Sequence, residues 1–304
     1  MKRIVQPELL DALPPDDPRA IWSRRDLRRI NAWMRNPSIM ATALKNQLNG
    51  CSGGRETAAS FPRVESSGSL PRAATPVLHI TDLGAGDGHF LVRVAEKISP
   101  RWPGANVTLL DNQKVTDAQT LAFFESFGWR AEAIKADVFD WANRRERRLS
   151  AARQSAPARR RPAGESPGRQ DAGAPGVVVA NLFLHHFEDA RLAELFRAVA
   201  GRARLFAAIE PRRAPWPLFC CRLRWAIGCN SVTRHDAAIS VRAGFSGREL
   251  SALWPADSGW QCTERRAGVF SHLFVARKIS GLECADMSAL STAVPPRRDR
   301  RTPK

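Results

Sequence analysis

The tract Asp82-Leu83-Gly84-Ala85-Gly86-Asp87-Gly88 gathers three glycines and two acids within seven residues. Glycines so spaced let a backbone bend sharply and approach a ligand closely, and a helix that follows them offers free N–H groups to acceptor atoms. The tract departs at His89 and Phe90 from the GxGxxG fingerprint of dinucleotide-binding turns, which weighs against a nicotinamide cofactor. Downstream, Asp111, Asp137 with Val138, and Asn181 each close an apolar run. A carboxylate there suits paired hydroxyl donors. Each of these residues has a plainer alternative, the satisfaction of turn or capping N–H groups. His185, His186 and His235 are the imidazoles that could move a proton near neutral pH. His235 adjoins Asp236, which tunes it only if the chain there is irregular, because neighbouring side chains on a regular element diverge. Glu210 reaches the same region or pairs with Arg212 or Arg213.

The elements that must position these residues alternate. Val77 to Leu83 reads as a strand and Asp87 to Ser99 as a helix, with Phe90, Leu91, Val94, Ala95 and Ile98 at helical spacing. Strands at 106–110, 131–136, 176–180 and 205–209 follow, with helices around Leu121 and Phe124 and around Leu192 to Val199. Such alternation predicts right-handed βαβ crossovers and a mostly parallel sheet covered on both faces. Ser246 and Glu249 read as a capping-box pair before a short helix, and the runs 260–266 and 269–277 as an antiparallel hairpin turning at Ala267 and Gly268. Pro18 to Met34 reads as an amphipathic helix docking through Trp22, Leu27, Ile30 and Met34.

The tract DLGAGDGHF resembles the first motif of class I S-adenosylmethionine-dependent methyltransferases, and the later segments fall in that family's order. The resemblance spans roughly Val77 to Lys278 and implies a Rossmann-like α/β fold, a seven-stranded, mostly parallel sheet closed by the antiparallel hairpin. It implies cofactor roles for Asp82, Gly84, Gly86 and Gly88, a ribose contact for Asp111, and adenine contacts for Asp137 and Val138. Asn181 ends the fourth strand in NLFLHHF, similar to the family's fourth motif, whose histidine-containing version is common among small-molecule methyltransferases. Methylases of base amines in the same fold resemble one another in a D/N-P-P-Y/F tract, where this chain has Asn181-Leu182-Phe183-Leu184. No cysteine follows that strand to attack cytosine C5.

The 304 residues carry 47 Lys plus Arg against 30 Asp plus Glu, a net charge of +17. A charge of that size raises a nucleic-acid partner. Its distribution lowers the expectation. Only seven of the basic residues are Lys, Tyr is absent, and residues 144–175 alone hold nine Arg against three acids in a Pro, Gly, Ser and Ala background. That stretch reads as a disordered insert, 46–76 as a linker and 279–304 as a disordered tail. The six cysteines form no CxxC pair, so no metal is expected. No apolar run reaches the roughly 18 residues of a membrane span, and the N-terminus has no signal-peptide stretch, which reads as cytoplasmic.

These readings converge on an N-terminal helical segment (1–45), the linker, a methyltransferase domain (77–278) with a substrate cap at about 211–245, and the tail. The expected activity is methyl transfer from S-adenosylmethionine to oxygen or carbon of a hydrophobic or aromatic small molecule, with His235 as the first candidate base and His186 as the second. An RNA methyltransferase or RNA-binding protein using the basic segments is the alternative.

Overall fold

The run Leu78–Leu83 (β1) is an interior strand of a seven-stranded sheet. Its neighbours are Ala105–Asp111 (β2) and Gly176–Asn181 (β4), followed outward by Arg130–Lys135 (β3) on one side and Leu205–Pro211 (β5) on the other. These five strands are parallel. Trp260–Ala267 (β6) and Ser271–Lys278 (β7) form the expected hairpin, and β7 runs antiparallel to β5. The computed structural model describes residues 1–49, 78–142, 176–221, 228–256 and 259–279. The expected linker, insert and tail lie outside the described residues, except for 46–49 and Ile279.

Central strands of a covered sheet must be apolar on both faces. On β4, Val177 and Val179 pack into one core, with Leu44, Leu91, Ile98, Phe124 and Trp129. Val178 and Ala180 pack into the other, where Phe196, Phe206, Trp254 and Phe274 cluster. The covering helices are Asn36–Asn49 (α3), His89–Ile98 (α4), Ala118–Ser126 (α5), Asp189–Ala200 (α6) and the short Glu249–Leu253 (α9). The Glu249 carboxylate accepts the Ser246 N–H at 3.0 Å, so half of the expected capping box forms.

Three expectations change. The N-terminal helical segment does not end at residue 45, because α3 continues to Asn49 and buries Met40, Ala41, Ala43 and Leu44 in the main core. Pro18–Trp33 (α2) is a helix as expected, but its docked face is Ala20, Ser23, Asp26 and Ile30, while Trp22 is 61% exposed. The reason is polar docking: Asp26 Oδ2 accepts the Asn230 N–H at 2.9 Å, and Ser23 Oγ lies 3.1 Å from both Asn230 Oδ1 and Thr233 Oγ1. The cap region is helical too. Pro215–Cys221 (α7) precedes Ser231–Ala243 (α8), whose first turn is capped by Asn230 Oδ1 accepting from Thr233 N at 2.7 Å; residues 222–227 lie outside the described ones.

Candidate functional site

β1 hands the chain to β2 on one side, while β4 lies on its other side, so the carboxyl ends of β1, β2 and β4 diverge and leave a crevice. The glycine tract fills the mouth of this crevice. Gly84, Gly86 and Gly88 all take left-handed φ values, 66°, 55° and 77°. A Cβ on Gly84 would lie 2.1 Å from the Phe183 ring, whereas one on Gly86 would meet nothing within 4 Å. Asp111 reaches across from β2, accepting the Gly86 N–H at 2.8 Å and the Gln113 N–H at 2.8 Å. Leu182, just past β4, also takes a left-handed φ of 53°, a costly conformation for a branched side chain at the same opening.

Two cavities meet at this loop, sharing Gly84, Gly86, Leu182, Arg24 and Leu27. The first, about 350 Å³, takes Asp111, Asp137, Val138, His185 and His186 from the sheet side. The second, about 440 Å³, takes Asp82, His89 and Asn181. Asp82 is 2% exposed and turns toward the second cavity as part of its lining. Burial, and then the charge of Asp111, hold its pKa well above the usual carboxylate value. Burial likewise raises Asp111, against the pull of its two backbone donors. A carboxylate lining one cavity and a glycine face open beside it suit a ligand with a cationic group and a closely approaching chain.

The N-terminal residues close the first cavity as a strap. Leu9 N and Leu10 N, at the start of the short helix Leu9–Ala12 (α1), donate to Asp236 Oδ1 and Oδ2 at 2.9 and 3.0 Å. Arg3 donates to Ala243 O at 2.8 Å, Phe187 O at 2.6 Å and Asp189 Oδ1 at 2.7 Å. Glu8 reaches a buried histidine. His185 Nε2 is 3.2 Å from Glu8 Oε1 and its Nδ1 2.8 Å from Glu210 Oε2. Glu210, 0% exposed, also accepts the N–H groups of Phe183 and Leu184 at 3.0 and 2.9 Å. Burial alone would lower the His185 pKa, but the hydrogen bonds and charges of Glu210 and Glu8 outweigh it and raise the value to about 9. Burial would raise Glu8, yet the His185 partnership carries it down to about 2. Glu8, His185 and His186 offer ligand atoms within 4.8 Å of one another, close enough to receive a cation, and the imidazolium itself supplies one.

The sequence-predicted residues fall into three groups. Gly84, Gly86, Asp111, Asp137, Val138 and His186 line the first cavity, and Asp82, Gly84, Gly86 and Asn181 the second. Gly88 instead serves the loop's geometry, opening α4 where a Cβ would lie 2.9 Å from Leu109 and 3.0 Å from Thr120. Asp137 also caps the following turn, accepting Phe139 N at 2.7 Å and Asp140 N at 3.2 Å. Asn181 is held by Asn31 and Asn36, at 3.1 and 3.3 Å. His235 stands apart. It lies on the exposed face of α8, outside both cavity linings, with Nδ1 3.0 Å from Asp236 Oδ1. The helix turns Asp236 inward to the strap and His235 outward, and on that geometry His186 is the better placed imidazole. Glu210 pairs with His185 rather than with Arg212 or Arg213. Glu8, Asp11 and Arg24 carry no local motif that would have flagged them.

No family model matches the chain, and no curated protein matches it. Among solved structures it is similar to human N-acetylserotonin methyltransferase in complex with SAM, at 13% identity over 66% of this chain and 48% of that one, with a TM-score of 0.32. It is similar to a putative O-methyltransferase from Nostoc punctiforme, at 15% identity over 68% and 53% with a TM-score of 0.39. It is also similar to magnesium protoporphyrin IX methyltransferase from Synechocystis with bound SAH, at 12% identity over 67% and 74% with a TM-score of 0.37. The chain thus spans about half the length of the human and Nostoc proteins. At these values the activity has to be read from the site's own residues.

Proposed function

We propose that this protein is an S-adenosylmethionine-dependent methyltransferase acting on oxygen or carbon of a hydrophobic, aromatic small molecule. The observation that supports this best is the pair of cavities meeting at Gly84 and Gly86, with Asp82 lining one and Asp111 the other. Asp82 suits an ammonium group, Asp111 a pair of ribose hydroxyls, and Asp137 with Val138 an adenine ring. When bound, the sulfonium supplies an electrophilic methyl group.

The chain's own part is to hold the acceptor in line, exclude water and remove a proton where the acceptor carries one. His186 Nδ1 lies 3.1 Å from Asp11 Oδ2. That contact orients the ring with Nδ1–H toward Asp11 and leaves Nε2 as the proton acceptor. His185 is unsuited to the task, because its two carboxylate partners keep it protonated up to about pH 9. Leu27, Ile30, Met34, Val241 and Phe270 give the first cavity an apolar wall, and Thr233 and Ser240 add hydroxyls. These match an aromatic acceptor bearing a hydroxyl group.

Calorimetry with S-adenosylhomocysteine tests the cofactor: binding that weakens at least about tenfold in Asp111→Ala is expected. No binding to the wild type, or equal binding to the variant, sinks the reading. His186→Ala should keep that affinity and lose about 10²-fold or more in methyl transfer.

A further inference from the structure

We propose that the outer face of α2 docks the protein on an anionic phospholipid bilayer. On this 16-residue helix, exposed Ile21, Trp22, Arg25 and Trp33 share one face at 100° per residue, while exposed Arg28, Arg29 and Ala32 beside them line the second cavity, Arg28 paired with Asp87 and Arg29 with Asp26. The helix holds five Arg against one Asp. Trp22 is 61% and Trp33 66% exposed, values that in water leave two large indoles uncovered. Indole and guanidinium together suit headgroup depth, the ring in the interface and the cation against lipid phosphate. The indoles could also stack on RNA bases, but exposed Ile21 beside Trp22 adds an aliphatic surface that enters acyl chains and gives a base nothing to stack on, which favours lipid.

The surface is continuous with the first cavity. Trp33 packs on Phe270 at 4.7 Å between ring centroids, and Phe270 lines that cavity. Trp216, 59% exposed, stacks on Phe219, 50% exposed, on either side of cavity-lining Pro217. The inner face of α2 meanwhile supplies Ser23, Arg24, Leu27 and Ile30 to the same cavity. One helix therefore contributes to the walls of both cavities and presents Trp22, Arg25 and Trp33, which enter neither lining, on its outer side. A bilayer against that outer side would hold lipid-soluble acceptors at the cavity's edge. Among the described residues no helix is long and apolar enough to cross a membrane, so this contact is peripheral.

The test is co-sedimentation of the full chain, without cofactor, with phosphatidylglycerol-containing vesicles, with pure phosphatidylcholine vesicles and with a single-stranded RNA. Strong sedimentation with the anionic vesicles and weak sedimentation with the zwitterionic ones is expected. Trp22→Ser should weaken anionic binding about tenfold and Arg25→Gln about fivefold, both with unchanged circular dichroism. Failure to sediment with anionic vesicles at low salt overturns the proposal. So does undiminished binding of both variants, which would place the contact elsewhere on this basic chain, and so does RNA binding that these variants weaken without any vesicle binding. Because no cofactor is present, these outcomes are independent of the methyl-transfer reading.

Discussion

The glycine loop and the N-terminal strap face each other across one cavity, yet they are built by opposite means. The loop is local. Gly84, Gly86 and Gly88 take φ values that the sequence permits by itself, and the ties of the tract run to Asp111, 25 residues on, to Thr116, 30 on, and to Arg28, 59 back. The strap is held at a distance: Leu9 N bonds a carboxylate 227 residues away, and Glu8 bonds His185 177 residues away. Chemistry shared by a motif can thus sit opposite chemistry that only the folded chain assembles. Substitutions on the two sides should separate accordingly.

The largest effect belongs to Gly84→Val. The Phe183 ring occupies the space of its Cβ and its φ is left-handed, so the loop has to move. Urea unfolding should register a loss of about 3 kcal/mol or more, and calorimetric binding of S-adenosylhomocysteine should vanish. Gly86→Ala meets no neighbour, so only its φ of 55° opposes it, for about 1–2 kcal/mol. Its affinity loss should exceed its stability loss, since the open face is where a ligand would press. Equal losses for the two variants would erase the distinction.

Glu8→Gln breaks the strap alone. It leaves the His185 imidazolium buried with one carboxylate, at a cost on the order of 3 kcal/mol by urea unfolding. Faster proteolysis within residues 1–17, with the core intact, should accompany it. The pH dependence follows from the same pair. His185 is held near 9 against an ordinary 6.5, so its contribution is full below about 6.5 and fades as pH rises through 9. Glu8 is held near 2 against an ordinary 4.5, so its contribution is full above about 4.5 and fades as pH falls toward 2. Wild-type stability should therefore lose, between pH 6.5 and 9, a component that is smaller in Glu8→Gln, where Glu210 alone still pairs with the imidazolium. The smallest effect is Asp236→Asn, which weakens the carboxylate's hold on Leu9 N and Leu10 N by about 1 kcal/mol.

The same contrast explains what the sequence reveals. β1, the glycine tract and α4 are legible because periodicity, glycine spacing and strand ends are short-range signals. The parallel order and the closing hairpin follow from alternation and a turn at Gly268. The face of α2 is not legible. Trp22 looks like an anchor, yet Ser23 and Asp26 are buried because Asn230 and Thr233, some 200 residues later, meet them with hydrogen bonds. Hydrophobic patterning has no term for a polar face satisfied by a distant helix cap. His235 misleads for a related reason: it does reach Asp236 Oδ1, even on the regular helix α8, but that helix places the imidazole on its exposed face, outside both cavity linings. Glu210 and His185 sit close in neither sequence nor element, and only the pairing of β4 with β5 brings them together.

The strap's long ties also set an order of assembly. Residues 1–13 leave the ribosome well before Asp236, Ser240 and Ala243, which receive them. At roughly 5–20 residues per second, the strap waits on the order of tens of seconds for its dock. During that interval the glycine loop and its first strands can form beside an open cavity. Closure is therefore a late event of biogenesis, and the site matures from the loop outward.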